Sequence, residues 1–241
     1  MPTMPVPHPM QPQRHSLVWL TAPGWQQVQA QTSTEPVAAR EALARWRAAD
    51  WPLVVRRHLP TMPATDVALG IALPPQPVTG VKPRIAVTVE RARMRQVDLP
   101  LSLATALPAA PLHWRAALLA LHLESLHELP GLHVFGSLAW QAITGMSYLR
   151  TTSDIDLLVA PATRSELEAC LACLRRHAMT LPLDGEILFP CGAAVAWKEW
   201  DDVMRPGVAG PRRVLSKHAD RVTLCDCSML LASFDAPGAP P

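Results

Sequence analysis

Two short apolar stretches constrain this chain more than anything else in it, because each meets residues that a buried strand does not usually carry. The first is Val134-Phe135-Gly136-Ser137; the second is Ser153-Asp154-Ile155-Asp156-Leu157-Leu158-Val159. About one short helix separates them. In a strand, side chains alternate between faces, so Asp154 and Asp156 point one way while Ile155 and Leu157 point the other. Two carboxylates on one exposed face repel each other unless a cation lies between them. Hard oxygen donors at this spacing suit Mg²⁺, which takes one or two carboxylates and completes its shell with substrate phosphates. The Gly-Ser turn offers backbone N–H groups at a helix start, where phosphate binds. Together these features point to phosphoryl or nucleotidyl transfer.

Composition narrows the classes. The 241 residues are 49% hydrophobic, enough for one large or two small cores. A net charge of +2 gives no concentrated basic face, so nucleic acid is not an expected partner. Residues 1–13 read as a proline-rich disordered tail without the pattern of a secretory leader. No apolar run reaches membrane-spanning length. The cysteines are odd in number, which fits reduced thiols and a cytoplasmic protein. Cys170-x-x-Cys173 has no second pair at zinc-site spacing and reads as two buried thiols. The histidines show no metal spacing; His113, His122 and His127 read as the polar or half-buried side of one helix.

The patterning divides the chain into an N-terminal α+β domain over 14–97 and a second domain over 98–235. The first holds predicted strands at His15–Leu20, Trp51–Arg57, Val67–Leu73 and Arg84–Glu90. It also holds a helix capped by Thr34 that runs to about Ala49. In the second, Pro111 opens a helix to about Leu129, with Leu118, Leu119, Leu121, Leu126 and Leu129 on or near one side. The strand His133–Phe135 follows, then a helix from Ser137 to Thr144 stopped by Gly145, then the strand Asp154–Val159. Thr163-x-x-Glu166 is a capping box for a helix to Ala178, with Leu167, Cys170, Leu171 and Leu174 facing the core. Leu183–Phe189 and Ala194–Trp200 read as a hairpin turned at Cys191-Gly192, and Arg221–Leu224 as a last strand.

Gly-Ser at one strand end, an acidic-x-acidic pair on the next and a third carboxylate on a later strand resemble the nucleotidyltransferase superfamily typified by DNA polymerase beta. A narrower resemblance rests on Phe135-Gly136-Ser137-Leu138-Ala139-Trp140-Gln141, Thr144-Gly145, Tyr148-Leu149 and Ser153-Asp154-Ile155-Asp156-Leu157-Leu158. Outside that core it rests on His15–Leu20, Val54-Val55-Arg56-Arg57, Leu69–Pro75, Leu183-Asp184-Gly185-Glu186 and Val195–Glu199. These segments are similar to the phosphoribosyl-dephospho-CoA transferases, the holo-acyl-carrier-protein synthases of malonate decarboxylase. The resemblance implies an α+β fold: a small N-terminal domain, then a polymerase-beta-like catalytic domain with a mixed sheet. It implies a triphosphoribosyl-dephospho-CoA donor, and as acceptor a serine on the acyl-carrier subunit of malonate decarboxylase. Pyrophosphate would be released.

Within that frame, Asp154 and Asp156 are expected to hold two Mg²⁺ ions, with Mn²⁺ as the alternative ion. Asp184 and Glu186 share a face, and either is the third carboxylate; Glu186, deeper in its strand, is preferred. Gly136 and Ser137 are expected to hold phosphate, with Lys217 reaching the pyrophosphate. Arg56, Arg57 and Arg84 are candidates for gripping the anionic donor, weighed against a solvated charged edge. Trp140, Trp197 and Trp200 read as core anchors more readily than as an adenine stack. Two other functions fit the same motif: adenylylation of a protein or small molecule, and a non-catalytic module that binds a carrier protein or nucleotide.

Overall fold

The computed structural model describes residues 12–129, 131–207 and 210–235, so residues 1–11 of the expected tail lie outside the described residues. Contacts divide the chain after Leu99 into two units.

The first unit runs β1 (Leu17–Leu20), α1 (Ala22–Gln31), α2 (Val37–Ala48), β2 (Leu53–Val55), β3 (Asp66–Ala72), β4 (Arg84–Glu90) and β5 (Met94–Asp98). Its strands form one antiparallel sheet in the order β4-β3-β2-β1-β5. The alternation of β4 is directly visible: Ile85, Val87 and Val89 are buried while Arg84, Ala86 and Glu90 are exposed. Helix α1 and strand β5 were not foreseen. The helix has an ordinary signal, however: the Thr21 hydroxyl accepts from the Gly24 N–H at 3.2 Å, and a proline occupies its first turn. Conversely, the expected Thr34 cap is not made. Helix α2 starts after Pro36 with no side-chain cap, and its stability comes from Leu43 and Trp46 in the core.

The second unit runs β6 (Leu101–Ser102), α3 (Leu103–Ala106), α4 (Leu112–Glu128), β7 (His133–Phe135), α5 (Gly136–Thr144), β8 (Ile155–Val159), α6 (Arg164–His177), β9 (Leu183–Leu188), β10 (Ala194–Ala196), α7 (Trp197–Met204), β11 (Arg213–Lys217), β12 (Val222–Asp226) and α8 (Cys227–Ala232). Its sheet has the order β12-β11-β10-β9-β8-β7-β6. It is mixed: β8 and β9 pair in parallel through the α6 crossover, and the other neighbouring pairs are antiparallel. This is the α+β architecture with a mixed sheet that the resemblance implied.

One face of this sheet is apolar. Val134, Ile155, Leu157, Leu183, Ile187, Val195 and Val214 pack there against Leu118 and Leu121 of α4, Leu138 of α5 and Leu167, Cys170, Leu171 and Leu174 of α6. Helix α6 starts as expected, with the Thr163 hydroxyl accepting from Glu166 N at 3.1 Å and the Glu166 carboxylate accepting from Ala162 N at 2.8 Å. Gly145 ends α5 in the left-handed conformation (φ 71°).

Two sequence expectations are corrected here. The stretch read as a strand over Ala194–Trp200 leaves the sheet after Ala196 and becomes α7. Trp197 and Trp200 are both buried, so the helical i, i+3 period wins over β propensity once a core is there to receive the indoles. On α4 the buried face is Trp114, Leu118 and Leu121, whereas Leu119 and Leu126 are exposed. A helix with leucines on several sides does not declare its inward face by itself.

Candidate active site

The motif residues converge on the sheet face opposite the helices. Strands β7 and β8 pair with Phe135 opposite Asp156, so the chain leaves β7 beside that carboxylate. It turns sharply at Gly136 (φ 67°) to enter α5. A methyl group built on Gly136 would stand 2.0 Å from Asp156 Oδ2, so the carboxylate lies against the bare α-carbon. The first N–H groups of α5, from Gly136 and Ser137, therefore start next to Asp156; Ser137 is buried.

The parallel pairing of β8 with β9 supplies the next acid. Asp156 is in register with Asp184, and Leu158 with Glu186. Residues paired in this way share a sheet face, so Asp184 is the lateral neighbour of Asp156. Between the two acids of β9 lies Gly185, with φ 129°; a methyl group there would meet Leu157 O at 1.9 Å. Glycine is needed for β8 and β9 to approach this closely, a signal that an isolated glycine inside a strand pattern carries.

Asp154 stands two residues before Asp156, exposed at the mouth of β8. The loop leading to it is built from side-chain hydrogen bonds. Gln141 Oε1 accepts from Tyr148 N at 3.1 Å and Leu149 N at 3.2 Å, while its Nε2 donates to Ala109 O at 2.8 Å. The Ser153 hydroxyl accepts from Arg150 N at 2.9 Å. Ile155 N then donates to Pro182 O and opens the ladder. Gln141 and Tyr148 thus act through backbone placement, a role that residue spacing alone did not reveal.

Glu186 and Lys217 form a pair. Lys217 Nζ donates to Glu186 Oε1 at 2.7 Å, and Glu186 is only 5% exposed. Lys217 ends β11, directly opposite Ala194 of β10, and Ala196 of β10 pairs with Glu186. The lysine thus lies on the acid-bearing face, two strands away from Glu186. On the same face, His133 pairs with Leu158, and burial lowers its imidazole from the usual 6.5.

Arg56, Arg57 and Arg84 belong to the first unit, and all three are exposed. Arg56 N donates to Ala68 O, and Arg84 pairs with Ala72. These two arginines therefore share a sheet face by register, while Arg57 is at the strand's exit. The aliphatic stem of Arg56 lies over Gly70, where a methyl group would come within 2.6 Å of Cδ. Trp140, Trp197 and Trp200 are buried, as core anchors. A cavity of about 580 Å³ lies elsewhere, between the end of α6 and α7; Arg175, Trp197, Lys198 and Asp201 line it, and none of the motif residues does.

Comparison with known proteins bears on this arrangement. The family model described as the phosphoribosyl-dephospho-CoA transferase MdcG N-terminal domain matches residues 13–100, and the MdcG C-terminal domain matches residues 102–228. The chain belongs to the phosphoribosyl-dephospho-CoA transferase family. Members of similar sequence include the phosphoribosyl-dephospho-CoA transferase of Bradyrhizobium diazoefficiens, 36% identical over 89% of this chain and 90% of that one. The transferase of Xanthomonas axonopodis pv. citri is 38% identical over 78% of this chain and 84% of that one. No solved structure matches. For this transferase family member, the acid-bearing face and the Gly136 turn both lie within the span of the C-terminal family domain.

Proposed function

We propose that the chain transfers the phosphoribosyl-dephospho-CoA group from triphosphoribosyl-dephospho-CoA to a serine of the malonate decarboxylase acyl-carrier protein, with release of pyrophosphate. Membership of the transferase family supports the donor and the reaction class. The observation that carries the chemistry is the register that sets Asp184 beside Asp156 while Gly136 opens α5 against the same carboxylate.

The chemistry of this donor set suits Mg²⁺: Asp154, Asp156 and Asp184 bring oxygen donors only, with Asp156 and Asp184 side by side on one sheet face, Asp154 just before β8, and helix N–H groups suited to phosphate next to Asp156. When bound, the ion would supply charge neutralisation at the phosphates and acidify the acceptor hydroxyl. Asp184 is the better third carboxylate, since Glu186 is buried and held by Lys217. The Gly136 and Ser137 N–H groups hold the phosphate oxygens that leave as pyrophosphate, aided by the positive end of α5. Lys217 spreads positive charge along the same face, and Glu186 fixes its ammonium. Arg56 and Arg84 offer guanidinium donors to the polyanionic donor. The reaction is one of the cytoplasm, where reduced cysteines persist; among the described residues no helix is long and apolar enough to cross a membrane.

Incubating the protein with apo carrier, the CoA-derived donor and Mg²⁺, then weighing the intact carrier, tests the reading. A gain of the prosthetic group supports it. A gain of AMP when ATP replaces the donor identifies an adenylyltransferase instead, and carrier binding without modification identifies a non-catalytic module.

A further inference from the structure

Away from the acid-bearing face, α4 and α6 pack against each other, and one cluster of donor atoms lies where they meet. Cys173 and His177 are four residues apart on α6, so their side chains lie on one side of it. Glu124 reaches them from α4. One donor atom from each of the three lies within 4.8 Å of the others, and the imidazole Nε2 is 3.0 Å from Glu124 Oε2. Cys173 is buried, while the Glu124 and His177 side chains are 32% and 13% exposed. The cluster is thus closed on the thiol side and open to water on the carboxylate side.

We infer that Glu124, Cys173 and His177 form a site for Zn²⁺, or a divalent transition ion of similar preference, that ties α4 to α6. Thiol sulfur, imidazole nitrogen and carboxylate oxygen are the donor types that zinc takes, and three protein ligands leave a fourth position for water. Mg²⁺ is a poor match for this set, because sulfur and nitrogen replace the hard oxygens that it requires. The second oxygen of Glu124 is not idle: Arg176 donates to Oε1. A carboxylate held in this way presents a single oxygen to the ion, and such an outer hydrogen bond is the usual support of a metal-bound acid.

Binding releases the thiol proton to solvent as the Zn–S bond forms; no electron changes hands. Cys170 and Cys173 are both buried, as their C-x-x-C spacing within a helix predicts. The fold adds what that spacing does not show: Cys173 stands beside a histidine one helical turn on and a glutamate on another helix.

Cobalt titration of the full-length, chelator-treated protein tests the site, since Co²⁺ reports its ligands by colour. One equivalent is expected to give a near-ultraviolet thiolate-to-cobalt band and tetrahedral visible absorption, both abolished by added Zn²⁺. Cys173→Ser is expected to lose the thiolate band, while Cys170→Ser keeps it. Glu124→Gln and His177→Asn, which preserve shape, should each weaken cobalt binding by more than about tenfold. Absence of the band from the unaltered protein, or its persistence in Cys173→Ser, overturns the inference. If Cys173→Ser does not fold, unchanged cobalt affinity in both other variants overturns it equally. An oxygen-only magnesium site gives no thiolate band, so this outcome is independent of the proposed transfer.

Discussion

Asp156 occupies the space that any side chain on residue 136 would need: its Oδ2 stands 2.0 Å from where a Cβ on Gly136 would be. The helix start and the Asp156 carboxylate are thereby locked together through one missing methyl group. Gly136→Ala is expected to cost about 1–2 kcal/mol from the left-handed backbone alone, and to push the carboxylate out of place. Urea unfolding should show the modest loss of stability, and carrier modification a much larger loss of turnover. A variant with unaltered turnover would show that the Asp156 position is not critical.

Asp154→Ala, Asp156→Ala and Asp184→Asn should each lower transfer by at least about 10²-fold, the size typical of removing one preorganised charge-stabilising group. None of the three is buried, so thermal unfolding should shift little. Intact-mass kinetics of the carrier provide the measurement. If Asp184→Asn is active while Glu186→Gln is dead and normally folded, the third carboxylate is Glu186.

The Lys217–Glu186 pair predicts an asymmetric double-mutant cycle. Lys217→Met removes the ammonium that donates to the buried Glu186 carboxylate and should destabilise by up to about 3 kcal/mol, the lower end of the range for a broken buried pair, because the lysine is partly exposed. Adding Glu186→Gln should restore part of that stability, by denaturant titration, without restoring activity. Additive losses would mean that the pair is not coupled.

His133 gives the sheet a pH dependence of known sign. Its folded pKa lies below the usual 6.5 because burial disfavours the imidazolium, with a smaller opposing effect from the Gly131 backbone. Below pH 6.5 the unfolded chain therefore takes up a proton that the folded chain refuses, and stability falls as pH drops toward the folded value. Comparing denaturant midpoints between pH 7.5 and pH 5 should show a shallower decline in His133→Gln than in the unaltered protein.

Cysteine chemistry should follow burial. Burial pushes the Cys170 thiol up to about 12 and the Cys227 thiol to about 11, whereas Cys191 is exposed at the β9–β10 turn. Iodoacetamide at neutral pH is expected to label Cys191 first, as peptide mapping would read. Labelling of Cys170 at a comparable rate would contradict the packing of α6.

What the sequence made legible followed from local rules. The strand–Gly–Ser–helix unit and the Thr163 capping box each depend on residues within a few positions and lie where patterning put them; the acidic strand does too, except that it opens at Ile155 and leaves Asp154 just before it. The misreadings arose where tertiary burial decides. Trp197 and Trp200 turn helical because the core takes both, and Leu119 of α4 faces outward because Leu118 and Leu121 already fill the contact. Strand β11, which carries Lys217, is hidden in the sequence because Leu215 is exposed and Ser216 is buried, the reverse of the polarity that marks a strand. That Asp184, not Glu186, is the lateral neighbour of Asp156 depends on strand register, which no single segment contains.

The parallel pairing of β8 and β9 has a consequence for the order in which competence arises. A parallel neighbour is reached only after the whole of α6 has been made and folded back, so bringing Asp184 to Asp156 requires closure of a long loop. Lys217 arrives later still, on β11. A nascent chain that has emerged only as far as α6 carries the glycine turn, Asp154 and Asp156, but neither Asp184 nor Lys217. On the proposed reading, such a fragment would stay idle toward its donor until the segment after α6 has joined the sheet.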